Sequence, residues 1–569
     1  MTPDDPPTGG SHGRPSSHNH NPQQQQQQQQ QHHKQKHHQD HHHRPRWSLN
    51  DLSTELLAMI FEQIATPITY KTLVLTERII SRDAERQFPH ALAHIYAYTN
   101  NVVATSNLDP AGTRRILQRI RNLSTVRWRY IEREVDPEQF WMPADVLNAE
   151  QTRHHDTKLY VEELPLRDFE GELRDIYTRA IPVDLLVSLK TACPTPPLVT
   201  RLNSLKHLLV AARRLEVLRF EDRGQGTQFD FLPHERLPAL RELSLQSYDW
   251  RHTRDEVARH WDFSRIARLE LVSVPIYNFL RSVDFSDLAG LRVLHCEDFS
   301  AHHAAPDARA DATRALHALV RSHVRALTAL RVTVHTADFP AADALLPHAA
   351  TLTALGLRDH TGFDEEDRRC PTMAHADLAL LARHLRRLRV LELDMDTAHA
   401  DPPLFLAAAC AFPALHTLTL HVQTVLHPFE EAEVRHGHGH GRRGADRDYE
   451  AAVWAFRFLV RNKPAGSAPW RSITINVGGW KRVLVRRLSE AWRGLNERGI
   501  FAERCFVMER AAGGSGGAEG MVIREEFPVE PSRHVTPESE DDDDDNDDDD
   551  DDADDRGVFQ HNSIIGRTG

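Results

Sequence analysis

Leu388-Arg-Val-Leu391-Glu-Leu393 is the stretch on which the fold turns. The same frame, L-x-x-L-x-L, recurs along the chain as Leu215-x-x-Leu218-x-Phe220, Leu240-x-x-Leu243-x-Leu245 and Ile266-x-x-Leu269-x-Leu271. It continues as Leu291-x-x-Leu294-x-Cys296, Leu327-x-x-Leu330-x-Val332 and Leu352-x-x-Leu355-x-Leu357. After Leu388 come Leu415-x-x-Leu418-x-Leu420 and the more degenerate Trp470-x-x-Ile473-x-Ile475. The first positions step by 25, 26, 25, 36, 25, 36, 27 and 55 residues. A step held this closely marks one structural unit repeated, with insertions where the step lengthens.

Within each hexad the apolar residues alternate, as they do on the buried face of a short strand. One such strand cannot bury its face alone, whereas stacked neighbours share a continuous core. Five of the eight steps fall in the 20–29 range of leucine-rich repeats. The expectation is an α/β leucine-rich-repeat solenoid over 113–510, with a helical repeat array as the alternative. Leu123-x-x-Val126-x-Trp128 fits the frame after a helix at Thr113–Arg121, so the repeats start early. Between hexads, Ala312–Leu327, Ala376–Leu388 and Tyr449–Val460 carry helical spacing and should form the convex side. The stretch 130–197 reads as an irregular insertion, and 421–450, with His436-Gly-His-Gly-His440, as a loop. Lys481–Asn496 reads as a helix. Cys505–Arg510 and Met521–Glu525 flank Gly513–Gly520, which suggests a terminal hairpin or cap over 511–530.

The ends differ in kind from the middle. Residues 1–46 are rich in Pro, Gln and His, with an unbroken Gln run from Gln23 to Gln31. The segment Glu538–Asp555 holds 15 acidic residues. Both 1–46 and 531–569 are expected to be disordered tails, since neither buries enough apolar surface to offset its chain entropy. Removing those 15 charges from the total of −13 leaves +2, so the body is close to neutral. A near-neutral body points away from specific nucleic-acid binding. The acidic tail is either a partner for basic proteins or a solubilising segment.

The five cysteines, Cys193, Cys296, Cys370, Cys410 and Cys505, are scattered, with no Cys-x-x-Cys. That argues against a zinc ribbon or a disulfide framework. There is no secretory h-region and no apolar run of membrane-spanning length, so the chain is expected in the cytoplasm or nucleus. The His tract between His32 and His43 has no fixed metal-ligand geometry. No nucleophile elbow, His-Glu-x-x-His or Walker loop is present, so the expectation is a non-enzymatic protein with no metal and no cofactor.

Before the repeats, Leu52, Glu55, Leu56, Ile60, Phe61 and Ile64 lie in a segment whose apolar residues repeat about every four positions. Ser53 suits an N-cap and Pro67 a stop. The run L-x-x-E-L-L-x-x-I-F-x-x-I from Leu52 to Ile64, then Leu73-Val-Leu-Thr-Glu-Arg78 through Phe88 to Ile95-Tyr96, resembles the F-box proteins, in particular the fungal F-box plus leucine-rich-repeat type. Ser53 stands where that family usually has Pro. The resemblance implies a small all-α module over 47–98 whose helix docks on a Skp-type adaptor, and through it on a cullin. The repeats would then present a protein substrate for ubiquitin transfer. The bare residues also allow a second reading, an N-terminal capping helix of the solenoid.

In each hexad, the residues between the inward positions and just after them face the concave side. These are Arg219 and Glu221; Glu242, Ser244 and Gln246; Arg268 and Glu270; His295 and Glu297; Arg331 and Thr333; Arg358; Glu392 and Asp394; Thr419 and His421. Of these, Glu221, Gln246, Glu270, Glu297, Glu392 and Asp394 are the expected cargo-binding residues, offering carboxylates to a basic segment.

Overall fold

The computed structural model describes residues 68–131, 143–147, 156–166, 175–192, 202–222, 227–298, 306–334, 341–359, 372–396, 401–422, 447–477, 504–510 and 521–525. The adaptor-docking candidates Leu52–Ile64 lie outside the described residues. So do both tails, the helix expected at Lys481–Asn496, His436–His440 and the Gly-rich turn.

The chain forms two units. The first holds β1 (Thr72–Val74), β2 (Asn101–Thr105), β3 (Thr125–Arg129), β4 (Lys158–Leu164) and β5 (Leu186–Thr191). Each strand is parallel to the next in the chain. Leu123, Val126 and Trp128 are buried as the early hexad predicts.

Two expectations are corrected here. The segment 47–98 was expected to be all-α, but its described part includes β1, which pairs in register with β2: Thr72 with Asn101, Val74 with Val103. The three helices that follow, Glu77–Ile80, Ala84–Gln87 and Pro89–Tyr98, form the connection between those two strands. Leu73 and Leu75 face the core, so the repeat period already operates at residue 72. Likewise 130–197 is not simply irregular, because β4 and β5 lie inside it. Their pairing shifts register between Val161 and Leu164, where Glu163 takes a left-handed φ of 56°. The displacement behaves like a β-bulge, which is why the regular frame is lost there.

The second unit holds β6 (Val217–Glu221), β7 (Glu242–Gln246), β8 (Arg268–Val272), β9 (Val293–Asp298), β10 (Ala329–Val334) and β11 (Ala354–Asp359). It continues with β12 (Val390–Asp394), β13 (Thr417–Val422), β14 (Ser472–Val477), β15 (Arg504–Arg510) and β16 (Met521–Glu525). Strands β6 to β14 are parallel, and β15 and β16 return antiparallel as a closing hairpin. All nine quoted hexads fall on strands β6 to β14. Most described connections carry a helix, among them Pro306–Ala318, His375–His384 and Arg447–Arg461, whereas none lies between β6 and β7 among the described residues. The architecture is a leucine-rich-repeat-like solenoid.

Register explains the core. Leu218, Leu243, Leu269, Leu294, Leu330, Leu355, Leu391 and Leu418 stand opposite one another strand by strand and are nearly inaccessible. Each buried leucine contributes roughly 1.5–3 kcal/mol, and the ladder makes neighbouring repeats depend on one another. Strand ends are tied by side chains: Ile276 N–H donates to Asp298 Oδ2 at 2.9 Å, and Thr227 Oγ1 donates to Asp222 Oδ2 at 2.7 Å. Beside β6 to β8 sits an aromatic cluster in which Trp250 contacts Trp261 and Phe279, each with ring centroids 4.9 Å apart. Its Tyr248 hydroxyl accepts from Phe229 N–H at 2.9 Å and lies 2.8 Å from His252 Nε2. Among the described residues no helix is long and apolar enough to cross a membrane.

Candidate functional site: the concave face of the second unit

Parallel register sorts the outward residues into rows. One row runs Arg219, Ser244, Glu270, His295, Arg331, Gly356, Glu392, Thr419. The next runs Glu221, Gln246, Val272, Glu297, Thr333, then Arg358, Asp394, His421 and Asn476 on β11 to β14. The six expected cargo residues all lie in these rows, but the structure uses them in two different ways.

At β6 to β9 the face is half-buried and open. Glu221 lies 3.9 Å from Arg219, and Glu270 accepts from Arg268 Nε at 3.0 Å. The Glu270 carboxyl is held below its ordinary range: burial pushes it up, and the Arg268 hydrogen bond and charge more than reverse that. Gln246 and Glu297 are half-buried in the same rows.

At β10 to β14 the polar groups close on one another. Arg331 Nη2 donates to Glu392 Oε2 at 2.6 Å, although β11 lies between them. Gly356 makes this crossing possible. A Cβ there would stand 3.3 Å from Arg331 Cγ and 3.4 Å from Glu392 Oε2. The other Glu392 oxygen lies 2.9 Å from His421 Nε2, and His421 Nδ1 lies 3.2 Å from Asn476 Nδ2. The pattern requires a neutral imidazole that accepts at Nδ1 and donates at Nε2. Burial, then the Arg358 charge, lowers the His421 pKa to about 4, which agrees. For Glu392, burial acts upward, but the His421 hydrogen bond and the nearby guanidiniums hold the carboxyl well below the usual range.

Asp394 is fully buried, accepting from Asp359 N–H at 2.6 Å and facing Arg358 Nε at 3.4 Å. Burial pushes its pKa up to about 7, against the pull of Arg358.

At this end of the face two of the six expected residues, Glu392 and Asp394, turn to internal partners, while Glu221, Gln246, Glu270 and Glu297 stay half-buried at the open end. Asp394 and Glu392 are committed to internal partners and cannot be offered to a basic ligand. In each pair the cation is the outer group: Arg219 is 53% exposed against 28% for Glu221, Arg268 49% against 20% for Glu270, and Arg331 54% against 13% for Glu392. A short carboxylate sits low between strands while the longer guanidinium reaches past it. The sequence rule found the rows. It missed Gly356, whose role is the absence of a side chain, and Asn476, which follows Ile475 at the rule's own offset.

Two buried polar atoms in this network, His295 Nε2 and Asn476 Oδ1, have no hydrogen-bond partner among the described residues. Burial and the Arg331 charge lower the His295 pKa to about 4, so that imidazole too is neutral.

No protein-family model matches the chain, and no curated protein matches it. Among solved structures, a crystal structure of a TLR13–ssRNA13 complex matches with 11% sequence identity and a TM-score of 0.21. The match covers 69% of this chain and 61% of that one, so the chain spans less than two thirds of its length.

Proposed function

We infer that the protein is a non-enzymatic interaction scaffold that holds a partner protein against the concave face of its second unit. The observation that supports this best is the contrast between the two layers of one sheet. Behind it lies an almost invariant leucine ladder; in front lie side chains that change from strand to strand and are held in place by their own hydrogen bonds. A rigid backing with a variable, pre-organised polar surface is what selective protein binding requires. Arg219 and Arg268 stand outermost at the open end, so the favoured ligand segment carries carboxylates or backbone carbonyls for those guanidiniums.

On the resemblance of Leu52–Ile64, the scaffold would serve as the substrate-recognition subunit of an Skp adaptor–cullin–F-box ubiquitin ligase, with Leu52, Glu55, Leu56, Ile60, Phe61 and Ile64 on the adaptor. Its place of action would be the cytoplasm or nucleus.

The test is affinity purification with quantitative mass spectrometry, comparing wild type with Arg219→Glu/Arg268→Glu. Both side chains are about half exposed; where reversal beside Glu221 and Glu270 lowers the melting temperature, Arg219→Gln/Arg268→Gln is compared instead and should shift the same partners in the same direction. Face-dependent partners should fall about tenfold or more in abundance. An unchanged partner list at equal abundance would show that recognition lies off this face.

A further inference from the structure

The near-neutral body hides a one-sided charge distribution. The residues that lead into the strands of the second unit stack along one edge of the sheet: Arg292 N–H follows Ala267, Thr328 follows Arg292, Thr353 follows Thr328, Arg389 follows Thr353, His416 follows Arg389 and Arg471 follows His416, each donating to the carbonyl before it. Along this edge from β8 to β14, the lead-in turns 264–268, 289–293, 325–329, 349–354, 385–390, 411–417 and 462–472 contain no Asp or Glu. They do contain exposed Arg292, Arg325, Arg386, Arg387, Arg389 and Arg471.

Among the described residues none of these six arginines pairs with a carboxylate. Arg387 Nη1 donates instead to Ala350 O at 2.9 Å and Arg292 Nη1 to Ala326 O at 3.3 Å. A groove of about 400 Å³ opens here, lined by Arg386, Arg387 and Arg389 together with Thr328 and Thr353. The threonine hydroxyls already donate to backbone, Thr328 to Arg292 O at 3.0 Å and Thr353 to Thr328 O at 2.9 Å. That leaves the guanidiniums as the donors facing the groove.

His416, in the same row, senses the field. Burial and then the charges of Arg471, Arg389 and Lys463 lower its pKa, and no acid offsets them. A row of unneutralised guanidiniums over several strands fits an extended polyanion.

We propose that the occupant of this arginine edge is the chain's own acidic segment, Glu538–Asp555. The charges complement each other: 15 carboxylates against a stripe with none. The reach is sufficient. From Glu525, the last residue of β16, to Glu538 the chain spans up to about 43 Å at roughly 3.3 Å per residue. Glu525 is level with Ile475, about four residues along the strand from the edge at Arg471, so the path to the edge at β12 is about 23 Å (about 19 Å across four strands and about 13 Å along them), and the whole edge from β8 to β14 is about 29 Å. The 18 residues of the acidic segment, extended, cover that edge with length to spare. A tether this short supplies a local concentration on the order of millimolar, so even weak contacts keep the edge filled. This inference goes beyond the concave-face reading and does not depend on it, because the edge and the face use different residues.

The test uses the full-length chain and a full-length variant in which the 15 acids of 538–555 are changed to Asn or Gln. The probe is a fluorescein-labelled synthetic peptide of residues 538–555, followed by anisotropy. The neutral-tail variant should bind the probe about tenfold or more tighter than wild type, with affinity falling as salt rises. Adding Arg386→Glu/Arg387→Glu/Arg389→Glu should remove that gain. Where reversal lowers the melting temperature, the Gln triple variant is used and should weaken binding in the same direction. Equal binding by wild type and the neutral-tail variant, or none by the latter, overturns the proposal. So does a labelled single-stranded oligonucleotide that binds both chains equally, since the edge would then be open to nucleic acid in the presence of the tail.

Discussion

Gly356 and His421 show how much of the concave surface is decided by single residues. An alanine at 356 would press on Arg331 Cγ, and anything larger would stand between Arg331 and Glu392. His421 then fixes the other side of Glu392 as a neutral donor. Its stability contribution has a definite sign. The unfolded imidazole takes up a proton near pH 6.5, whereas the folded one does so near 4. Between those values the unfolded chain binds more protons, so stability falls as pH falls, by about 2 kcal/mol at pH 5 from this residue. Glu392, depressed below its ordinary range, adds stability above its unfolded pKa that is lost as pH falls through the folded one. Asp394, raised to about 7, works the other way between its unfolded value of 3.8 and 7, favouring the folded state at the lower pH. A His421→Gln variant isolates the imidazole while keeping a donor for Glu392. Urea denaturation at pH 5 and pH 7 should show the change in stability from pH 7 to pH 5 to be about 2 kcal/mol more favourable in the variant than in wild type, where the opposing Asp394 contribution partly masks the His421 one. Parallel profiles would mean that His421 is not held neutral.

At the scale of elements, short polar caps and buried hydroxyls set the connections between strands. Helix Arg254–His260 begins with a capping box: Thr253 Oγ1 accepts from Glu256 N–H at 3.3 Å, and Glu256 Oε2 accepts from Thr253 N–H at 2.8 Å. Thr253→Ala should cost about 1 kcal/mol in chemical denaturation. Tyr248→Phe strikes deeper, because it leaves Phe229 N–H without its acceptor inside the aromatic cluster; a loss of about 1–3 kcal/mol is expected. A Tyr248→Phe variant as stable as wild type would mean that Phe229 N–H finds another acceptor. The elements that were legible in sequence are those whose inward apolar residues, mostly leucine, keep fixed offsets. Strands β6 to β14 announced themselves because Leu at fixed offsets is rare by chance. Strands β1, β2, β4 and β5 did not. The inward residues of β2 are Val102 and Ala104, and although β4 and β5 bury Leu159, Leu164, Leu186 and Leu189, their register shifts and the bulge at Glu163 break the offsets. Leu73 and Leu75 were visible, yet the helices that follow them read equally well as an α-helical module. Only the pairing of Thr72 with Asn101, a contact across 29 positions, separates the two readings. The concave rows were legible by offset alone, but which carboxylates would be consumed internally was not, since that depends on cross-strand distances such as Arg331 to Glu392.

For the molecule as a whole, the segment that precedes the repeats decides between two roles. Leu52–Ile64 precedes β1 in the chain, and the strand at Thr72–Val74 means that the solenoid period begins within ten residues of Ile64. An adaptor-docking helix and a cap for the first strand make opposite demands on the same apolar stripe. A docking stripe must be available to a partner, so charges placed on it abolish binding and leave the solenoid intact. A capping stripe is buried against the first repeat, so the same charges destabilise the fold by several kcal/mol, roughly the penalty of an unpaired carboxylate in apolar surroundings. The double substitution Leu56→Asp/Ile60→Asp therefore separates them in one experiment with two readouts, pull-down by a purified Skp-type adaptor and thermal melting. Under the ligase reading, wild type captures the adaptor, the variant loses capture by a hundredfold or more (about 3 kcal/mol), and the melting temperatures agree. A lowered melting temperature with no capture by either chain identifies a cap. Equal capture by wild type and a folded double variant would show that Leu52–Ile64 is not the docking element and would withdraw the ligase reading, while the proposal of a partner on the concave face of the second unit would stand on its own test.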